Sequence, residues 1–167
     1  SGDRDGVADI DVDPQTGYVY TAHHQVTSYV TLPNGQQLSY FDGGGVARWD
    51  GTGWRSWTKP SAGLRAFGDK GILEAVLVDR TNGFVWAGGW DGDPVTFHWQ
   101  QGKGIDASLN WCPLDACGDG DWQNKVWPEE GTVAALALDH LGRVWAGVNR
   151  DGAGVVPPVA GVKVLAE

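Results

Sequence analysis

The chain has 167 residues, a length typical of one domain, and its 41% hydrophobic content is ordinary for a protein with a buried core. A formal net charge of −9, with no basic stripe, argues against nucleic acid as a partner. No run approaches the roughly 20 apolar residues that a membrane-spanning helix needs, so no membrane span is expected. The 26 Gly, 8 Pro and 10 Trp favour tight turns and short aromatic-rich strands, which predicts an all-β fold.

One segment occurs three times along the chain, at residues 7–22, 73–88 and 133–147. Each copy is an apolar strand, a turn that begins with Asp and contains Gly, and a second strand. The turn residues are Asp13 and Gly17, Asp79 and Gly83, and Asp139 and Gly142. Asp can cap the local backbone and Gly supplies a positive φ angle, so each copy predicts two strands joined by a tight turn. Similarity of this kind is typical of repeat architectures.

The first unit spans about residues 6–59. Ile10 and Val12 alternate with aspartates, which is the period of a strand with one apolar face. An inserted segment, 23–42, contains the dipeptide Asn34-Gly35 between two β-rich runs and predicts a hairpin. Further strands are expected at 43–50 and 54–58, so the unit has four antiparallel strands besides the hairpin.

The aspartates at the start of this unit leave calcium binding open as an alternative. Residues 2–13 resemble an aspartate-rich calcium loop only superficially, because the full loop spacing and the distal Glu are missing. No other cofactor is indicated.

The second and third units are expected to follow the same plan. The second spans about 71–111, with strands at 72–78, 84–88, 95–99 and 105–111. The third spans about 132–167, with strands at 133–138 and 144–148 and weaker strands at 155–159 and 162–166 that flank a turn at Ala160-Gly161. A long connection, 112–131, lies between them.

These patterns bring the chain close to a known family. The pattern Asp-x-x-x-Gly-x-Val-Trp in residues 79–86, together with Gly-Gly-Val-x-x-Trp-Asp-Gly-x-x-Trp in residues 44–54, resembles the repeats of two-component-regulator type β-propellers, and more distantly those of streptogramin-lyase-like propellers. The resemblance covers essentially the whole chain. It implies β-propeller blades of four antiparallel strands, three of them in this chain. Because propellers usually have four to eight blades, it also implies a ring completed by a second chain or by a longer parent protein.

The tryptophans divide into two groups. Trp86 and Trp145, with Tyr20 at the equivalent position of the first unit, are expected to pack between blades. Trp49, Trp54, Trp57 and Trp99 are expected to fill the outer layers of the blades. Trp90, Trp111, Trp122 and Trp127 are expected in loops, where a structural role is harder to assign.

Cys112 and Cys117 are the only cysteines and are separated by four residues. Neither the spacing nor the surrounding residues supply the ligands of a zinc site. We therefore expect a local disulfide, which would indicate an extracellular or periplasmic location.

The loops that follow the second strand of each unit form the candidate binding site. In a propeller these loops lie on one face, and here they carry polar and aromatic residues. The expected ligand-binding residues are His23, His24, Trp90, Asp91, Asp93, Asn149, Arg150 and Asp151, with Trp111 and Trp122 nearby. Aromatic rings beside carboxylates and amides suit sugars, whose apolar faces stack while their hydroxyl groups need acceptors.

The favoured function is an extracellular recognition module that binds a polar ligand, either a carbohydrate or another cell-surface component, and that acts as a homo-oligomer or as part of a longer propeller. Two alternatives remain: a structural or protein-interaction propeller subunit, and a lyase or hydrolase with a His/Asp site on the same face. No Gly-x-Ser-x-Gly motif is present, and no catalytic residue is assigned. Streptogramin-lyase-like propellers would imply a His-rich magnesium site, but the four histidines of this chain do not repeat a pattern.

Overall fold

The computed structural model describes residues 6–24, 26–42, 44–57, 72–91, 106–118, 120–127, 131–150 and 159–165. Within these ranges the chain forms thirteen β-strands and no helix, which confirms the all-β class for this part of the protein. The strands form four antiparallel sheets, and none of the sheets closes on itself.

The first sheet has the predicted four strands. Its order is β1 (Val7–Val12), β2 (Val19–His23), β5 (Gly45–Trp49) and β6 (Trp54–Trp57). The inserted hairpin is also confirmed: β3 (Val26–Thr31) pairs with β4 (Gln37–Asp42), and the turn between them contains Gly35 at a φ of 81°.

The second sheet corrects one strand assignment. Its order is β7 (Ile72–Asp79), β8 (Phe84–Asp91), β9 (Asp106–Pro113) and β10 (Gln123–Trp127). The strand expected to be fourth, 105–111, pairs directly with β8 and is therefore third, while the fourth strand lies inside the predicted connection 112–131. The run 95–99, expected to be the third strand, lies outside the described residues.

The third sheet has three strands among the described residues, in the order β11 (Thr132–Leu138), β12 (Val144–Arg150) and β13 (Val159–Leu165). The turn expected at Ala160-Gly161 is wrong. Both residues lie inside β13, where they pair with Asn149 and Val148 of β12. Continuous pairing with an apolar neighbouring strand outweighs the weak local turn signal of one Gly.

The threefold repeat extends to details of the backbone. The turn glycines Gly17, Gly83 and Gly142 have φ angles of 74°, 79° and 77°. Each first strand also has a register shift between the first and third residues of the repeat, namely between Val7 and Asp9, Leu73 and Ala75, and Val133 and Ala135. The three units therefore share one backbone plan, which includes a bulge at the same place in each.

The hairpin β3–β4 forms the fourth, two-stranded sheet, and the second sheet packs between the first and the third. One hydrophobic core joins it to the first sheet and contains Tyr20, Ala22, Val46, Trp57, Leu73, Val76, Val78, Val85, Ala87, Cys112, Leu114, Cys117 and Trp122. The other core joins it to the third sheet and contains Ala107, Leu109, Val133, Ala146 and Val148, with Trp86, Trp111, Trp127 and Leu136 packed against them. The expectation that Tyr20 and Trp86 pack between units is confirmed.

Two aspartates of β1 connect the first sheet to the second. Asp9 and Asp11 accept hydrogen bonds from the backbone N–H groups of Val76 (2.9 Å) and Val78 (2.7 Å) in β7. Their other carboxylate oxygens accept the N–H groups of the residues that follow them in β1. Because an unpaired strand edge leaves such groups without partners, the carboxylates satisfy an edge that no strand covers. This is the role that the structure gives to the aspartates that suggested calcium.

Candidate functional site

The two ends of the strands differ in the length of the connections that leave them. At one end, which we call the turn end, four connections have four to six residues, namely 13–18, 50–53, 80–83 and 139–143, and a fifth, 114–122, has nine and contains Cys117 of the disulfide. At the other, which we call the loop end, strands of one sheet are joined by the hairpin segment 24–44 and by the segments 92–105 and 151–158, which have 21, 14 and 8 residues. The last two segments lie outside the described residues, but the strands that they join place both at the loop end.

The turn end is held by internal hydrogen bonds, and Asp13 is the most heavily bonded residue there. Its buried carboxylate accepts the N–H of Gln15 at 3.0 Å, the Thr16 hydroxyl, and both Nε (2.7 Å) and Nη2 of Arg80 in the second sheet. The Arg80 hydrogen bonds hold the pKa of Asp13 well below its usual range. Arg80 also bonds the exposed carboxylate of Asp115 at 2.9 Å.

The other two turn aspartates bind the tryptophan of their own second strand. Asp79 accepts Trp86 Nε1 at 3.3 Å, and Asp139 accepts Trp145 Nε1 at 2.9 Å. Asn82, which donates to Asp79, also donates to the carbonyl of Gly142 at 2.7 Å and so links the second sheet to the third. The turn end therefore fixes the sheets to one another.

At the loop end the equivalent positions of the three repeats hold different residues. His24, Trp90 and Asn149 all stand sixteen or seventeen positions after the start of their repeats, at the end of the second strand or directly after it. Register places Trp90 opposite Ile72 and Asn149 opposite Thr132, at the start of each first strand. An imidazole, an indole and an amide thus occupy one structural position in three consecutive sheets.

The two histidines have partners within the chain. His24 Nε2 lies 2.8 Å from Glu74 Oε2, so the pair links the first sheet to the bulge of β7. His23 Nε2 lies 2.7 Å from the Thr21 hydroxyl, and burial lowers the pKa of His23. A lowered pKa keeps this imidazole neutral at pH 7, so one ring nitrogen donates a hydrogen bond and the other accepts one.

Trp90 is an aromatic residue at the loop end. It lies in β8 with intermediate exposure, next to the buried Gly89, and belongs to neither hydrophobic core among the described residues. His24 of the first sheet has an acidic partner, Glu74, on the second sheet. The residue of the third sheet that is equivalent to Glu74 is the exposed Ala134, so it offers Trp90 no such partner.

The structure brings together most, but not all, of the residues predicted for the site. His23, His24, Trp90, Asp91, Asn149 and Arg150 end the second strands and share the loop end. Asp93 and Asp151 lie outside the described residues. Trp111 and Trp122 are not at this face: Trp111 packs on Trp86 with ring centroids 5.5 Å apart, and Trp122 is buried, with its ring centroid 5.9 Å from that of Trp57. Both were expected in a loop near the site: Trp111 instead lies in β9, and Trp122 lies in the connection 114–122 at the turn end.

Glu74 is a polar residue of this region that the sequence analysis did not single out. The available signal was its place in the repeat, since the equivalent residues Ala8 and Ala134 are uncharged. A lone charge at a position that is otherwise apolar indicates a specific partner, and here the partner is His24.

The predicted disulfide is confirmed: Cys112 and Cys117 are bonded and close the connection between β9 and β10. In the part of the chain that the structure describes, no three His, Cys, Asp or Glu side chains come close enough to hold a metal ion. The same residues include no helix long and apolar enough to cross a membrane.

The chain matches no family model, no curated protein and no solved structure in the comparisons made. The interpretation of the site therefore rests on its own residues and geometry.

Proposed function

We propose that the chain is part of a β-propeller that recognises a polar ligand, of the carbohydrate class, at the loop end of its sheets. The observation that carries the proposal is the asymmetry between the two ends. The two longest connections within a sheet, 24–44 and 92–105, leave the loop end, whereas the connections of the turn end have at most nine residues and are internally bonded. In repeat proteins the insertions of successive repeats collect on one face, and that face is often the binding face.

The chemistry of the two ends supports the same assignment. At the turn end the same residue, Asp, recurs in every repeat because it performs the same structural task. At the loop end the equivalent residues are His24, Trp90 and Asn149, which no shared backbone requirement explains. Different donors, acceptors and an aromatic surface at one end are what a ligand with several distinct groups would need.

Trp90 is the proposed anchor of this site. An indole offers a flat apolar surface on which the apolar face of a sugar ring can stack. The backbone positions of Asp91 and Asn149 lie at the same strand ends. A chain with a net charge of −9 would repel anionic ligands, which favours a neutral oligosaccharide over an acidic one.

The disulfide supports a location where such ligands occur. Disulfides persist in oxidising compartments such as the extracellular space and the periplasm, and are rare in the cytosol. Cys112 and Cys117 are bonded and buried in the core between the first and second sheets. We propose that the protein acts in one of these compartments.

Trp90→Ala tests the proposal. Truncating an aromatic anchor typically costs about 2 kcal/mol, so affinity for neutral oligosaccharides on a glycan array should fall ~30-fold while the melting temperature stays unchanged. Leu141→Ala is the matched control, because Leu141 is an exposed apolar residue at the turn end and its loss should leave binding intact. A lowered melting temperature with unchanged binding would return Trp90 to a packing role and contradict the proposal.

A further inference from the structure

Three apolar side chains of β1 are exposed. Val7 is 57% exposed, Ile10 59% and Val12 49%, although the repeat gives them the alternation of a buried strand. Register extends the row across the sheet, because Val12 pairs with Val19, Val19 with Trp49 and Trp49 with Trp54. Trp54 is exposed as well, and the rings of Trp49 and Trp54 are in contact. We call this face, with residues Val7, Ile10, Val12, Val19, Trp49 and Trp54, the open face of the first sheet.

The equivalent residues of the second sheet show what should cover the open face. Leu73, Val76 and Val78 stand at the repeat positions of Val7, Ile10 and Val12, and they are 0%, 4% and 9% exposed. They are buried because the first sheet packs on them. In the third sheet Val133, the equivalent of Val7, is fully buried beneath the second sheet. The position is thus covered wherever a sheet precedes it, and exposed only in the first sheet.

The covering surface is the same in both internal contacts. The first sheet packs on the second through Tyr20 and Ala22. The second sheet packs on the third through Trp86 and Gly88, which stand at the repeat positions of Tyr20 and Ala22. The third sheet carries Trp145 and Gly147 at these positions. The cross-strand partners of Trp145 and Gly147 in β11, Ala137 and Ala135, are exposed. The face of the third sheet that carries Trp145 and Gly147 therefore packs on no other sheet among the described residues.

One pair of residues defines the fit. A Cβ atom built on Gly88 would lie 2.9 Å from Val133 Cβ and closer still to Val133 Cγ1, so Gly88 is what allows Val133 to approach. Gly147 is the equivalent of Gly88, and Val7 is the equivalent of Val133. At Gly147 the nearest neighbour of such a Cβ is Ala135 Cβ of its own sheet, at 3.4 Å. Among the described residues, no residue of another sheet takes the place that Val133 has beside Gly88.

We propose that a second copy of the chain covers the open face, with Val7 of each copy seated over Gly147 of the other. The contact continues the internal ones, since the third sheet of one copy would pack on the first sheet of its partner as the second packs on the third. Two such contacts, related by a two-fold axis, close a ring. With three sheets in each copy, two copies give six, the one multiple of three within the usual range of four to eight blades.

Sedimentation velocity of the chain over a concentration series tests the proposal. We expect a species with twice the mass of one chain. Ile10→Glu places an unpaired carboxylate in the contact and should raise the dissociation constant about 100-fold or more. Gly147→Val fills the valine site and should have a similar effect. Ile10 is exposed and Gly147 has an ordinary strand conformation, so circular dichroism should show that both variants fold.

Leu141→Glu is the matched control, because Leu141 is as exposed as Ile10 but lies in a turn outside the open face, and this variant should remain dimeric. An equimolar mixture of the Ile10→Glu and Gly147→Val chains provides a further test, since one of its two contacts joins two intact faces. We expect a two-chain species to return in the mixture.

Two results would overturn the proposal. The first is a single-chain mass at every accessible concentration, which would leave the open face to some other polypeptide. The second is a Gly147→Val variant that dimerises as well as the unchanged chain while Ile10→Glu does not, because that pattern would mean that two first sheets meet face to face.

Discussion

The turn aspartates show how one residue type can serve the same turn with different partners. All three accept backbone N–H groups of their own turn, but Asp79 and Asp139 bind a tryptophan of their own sheet, whereas Asp13 binds Arg80 of the next sheet. The substitution of Tyr20 for tryptophan in the first repeat explains the difference, because no indole N–H is available at that position. Arg80 supplies the missing donor and joins two sheets in doing so.

Asp13→Asn should therefore destabilise the fold in a pH-dependent way. We expect a loss of about 2 kcal/mol at pH 7, since a buried, charge-assisted pair is broken. The pKa of Asp13 is lowered in the folded state, so its contribution is present above the unfolded value near 3.9 and is lost as the pH falls towards the folded value. The difference between the two proteins should shrink as the pH falls below about 4.

Urea denaturation at a series of pH values measures this difference. Asp115→Asn is the matched control, because Asp115 bonds the same arginine from an exposed position, where an ion pair contributes little. Parallel curves of unfolding free energy against pH for Asp13→Asn and the unchanged chain would show that the Asp13 carboxylate is not stabilised by Arg80.

At the scale of the strand, close packing of sheets depends on small residues at a fixed position of the second strand. Gly88→Ala should bring its Cβ against Val133 and force the second and third sheets apart, with a loss of about 1–3 kcal/mol. Gly53→Ala is the control, because Gly53 has no atom within 4 Å of the added Cβ and no positive φ, and it should change the stability by less than about 0.5 kcal/mol. Equal melting temperatures for Gly88→Ala and the unchanged chain would contradict the packing described here.

The strands that the sequence predicted well are those that carry the repeat. β1, β2, β7, β8, β11 and β12 were predicted because apolar alternation and the Asp and Gly turn mark both of their ends. β10 was missed, because its first three residues, Gln123, Asn124 and Lys125, are all polar and the sequence therefore shows no alternation of apolar and polar residues. Only pairing with β9 makes this segment a strand, and pairing with a distant partner leaves no local trace in a sequence.

The candidate site was predictable to the same extent and for the same reason. Repeat equivalence predicted that His24, Trp90 and Asn149 occupy matching positions in loops; their backbone positions do match, but Trp90 and Asn149 lie in the last part of β8 and β12 and not in loops. What repeat equivalence could not supply was the neighbour of each side chain, as in the His24 and Glu74 pair or the packing of Trp111 on Trp86. Ligand binding at this end stays a prediction.

At the scale of the whole molecule, the number of covered faces differs from sheet to sheet. The second sheet is covered on both faces. The first sheet packs on its residues Val76 and Val85, and Val133 of the third sheet packs against its Gly88. Among the described residues, the first sheet is covered by another sheet on one face only, and Ile10 and Val12 are exposed on the other. Local stability follows the apolar surface that a segment buries, so the sheets should not open with equal ease.

Hydrogen exchange should resolve this difference, with peptides from β1 exchanging faster than peptides from β7. The two strands occupy the same repeat position, but Val76 is buried where Ile10 is exposed, and burying one such side chain contributes about 1.5 kcal/mol, or roughly tenfold in exchange rate. The amides of Val76 and Val78 are further protected by Asp9 and Asp11. If a second copy covers the open face, β1 should become as protected as β7 when the concentration is raised, while β7 itself should not change. Equal protection of the two strands at the lowest concentration, in a sample shown to be a single chain, would mean that coverage of the faces does not set local stability in this fold.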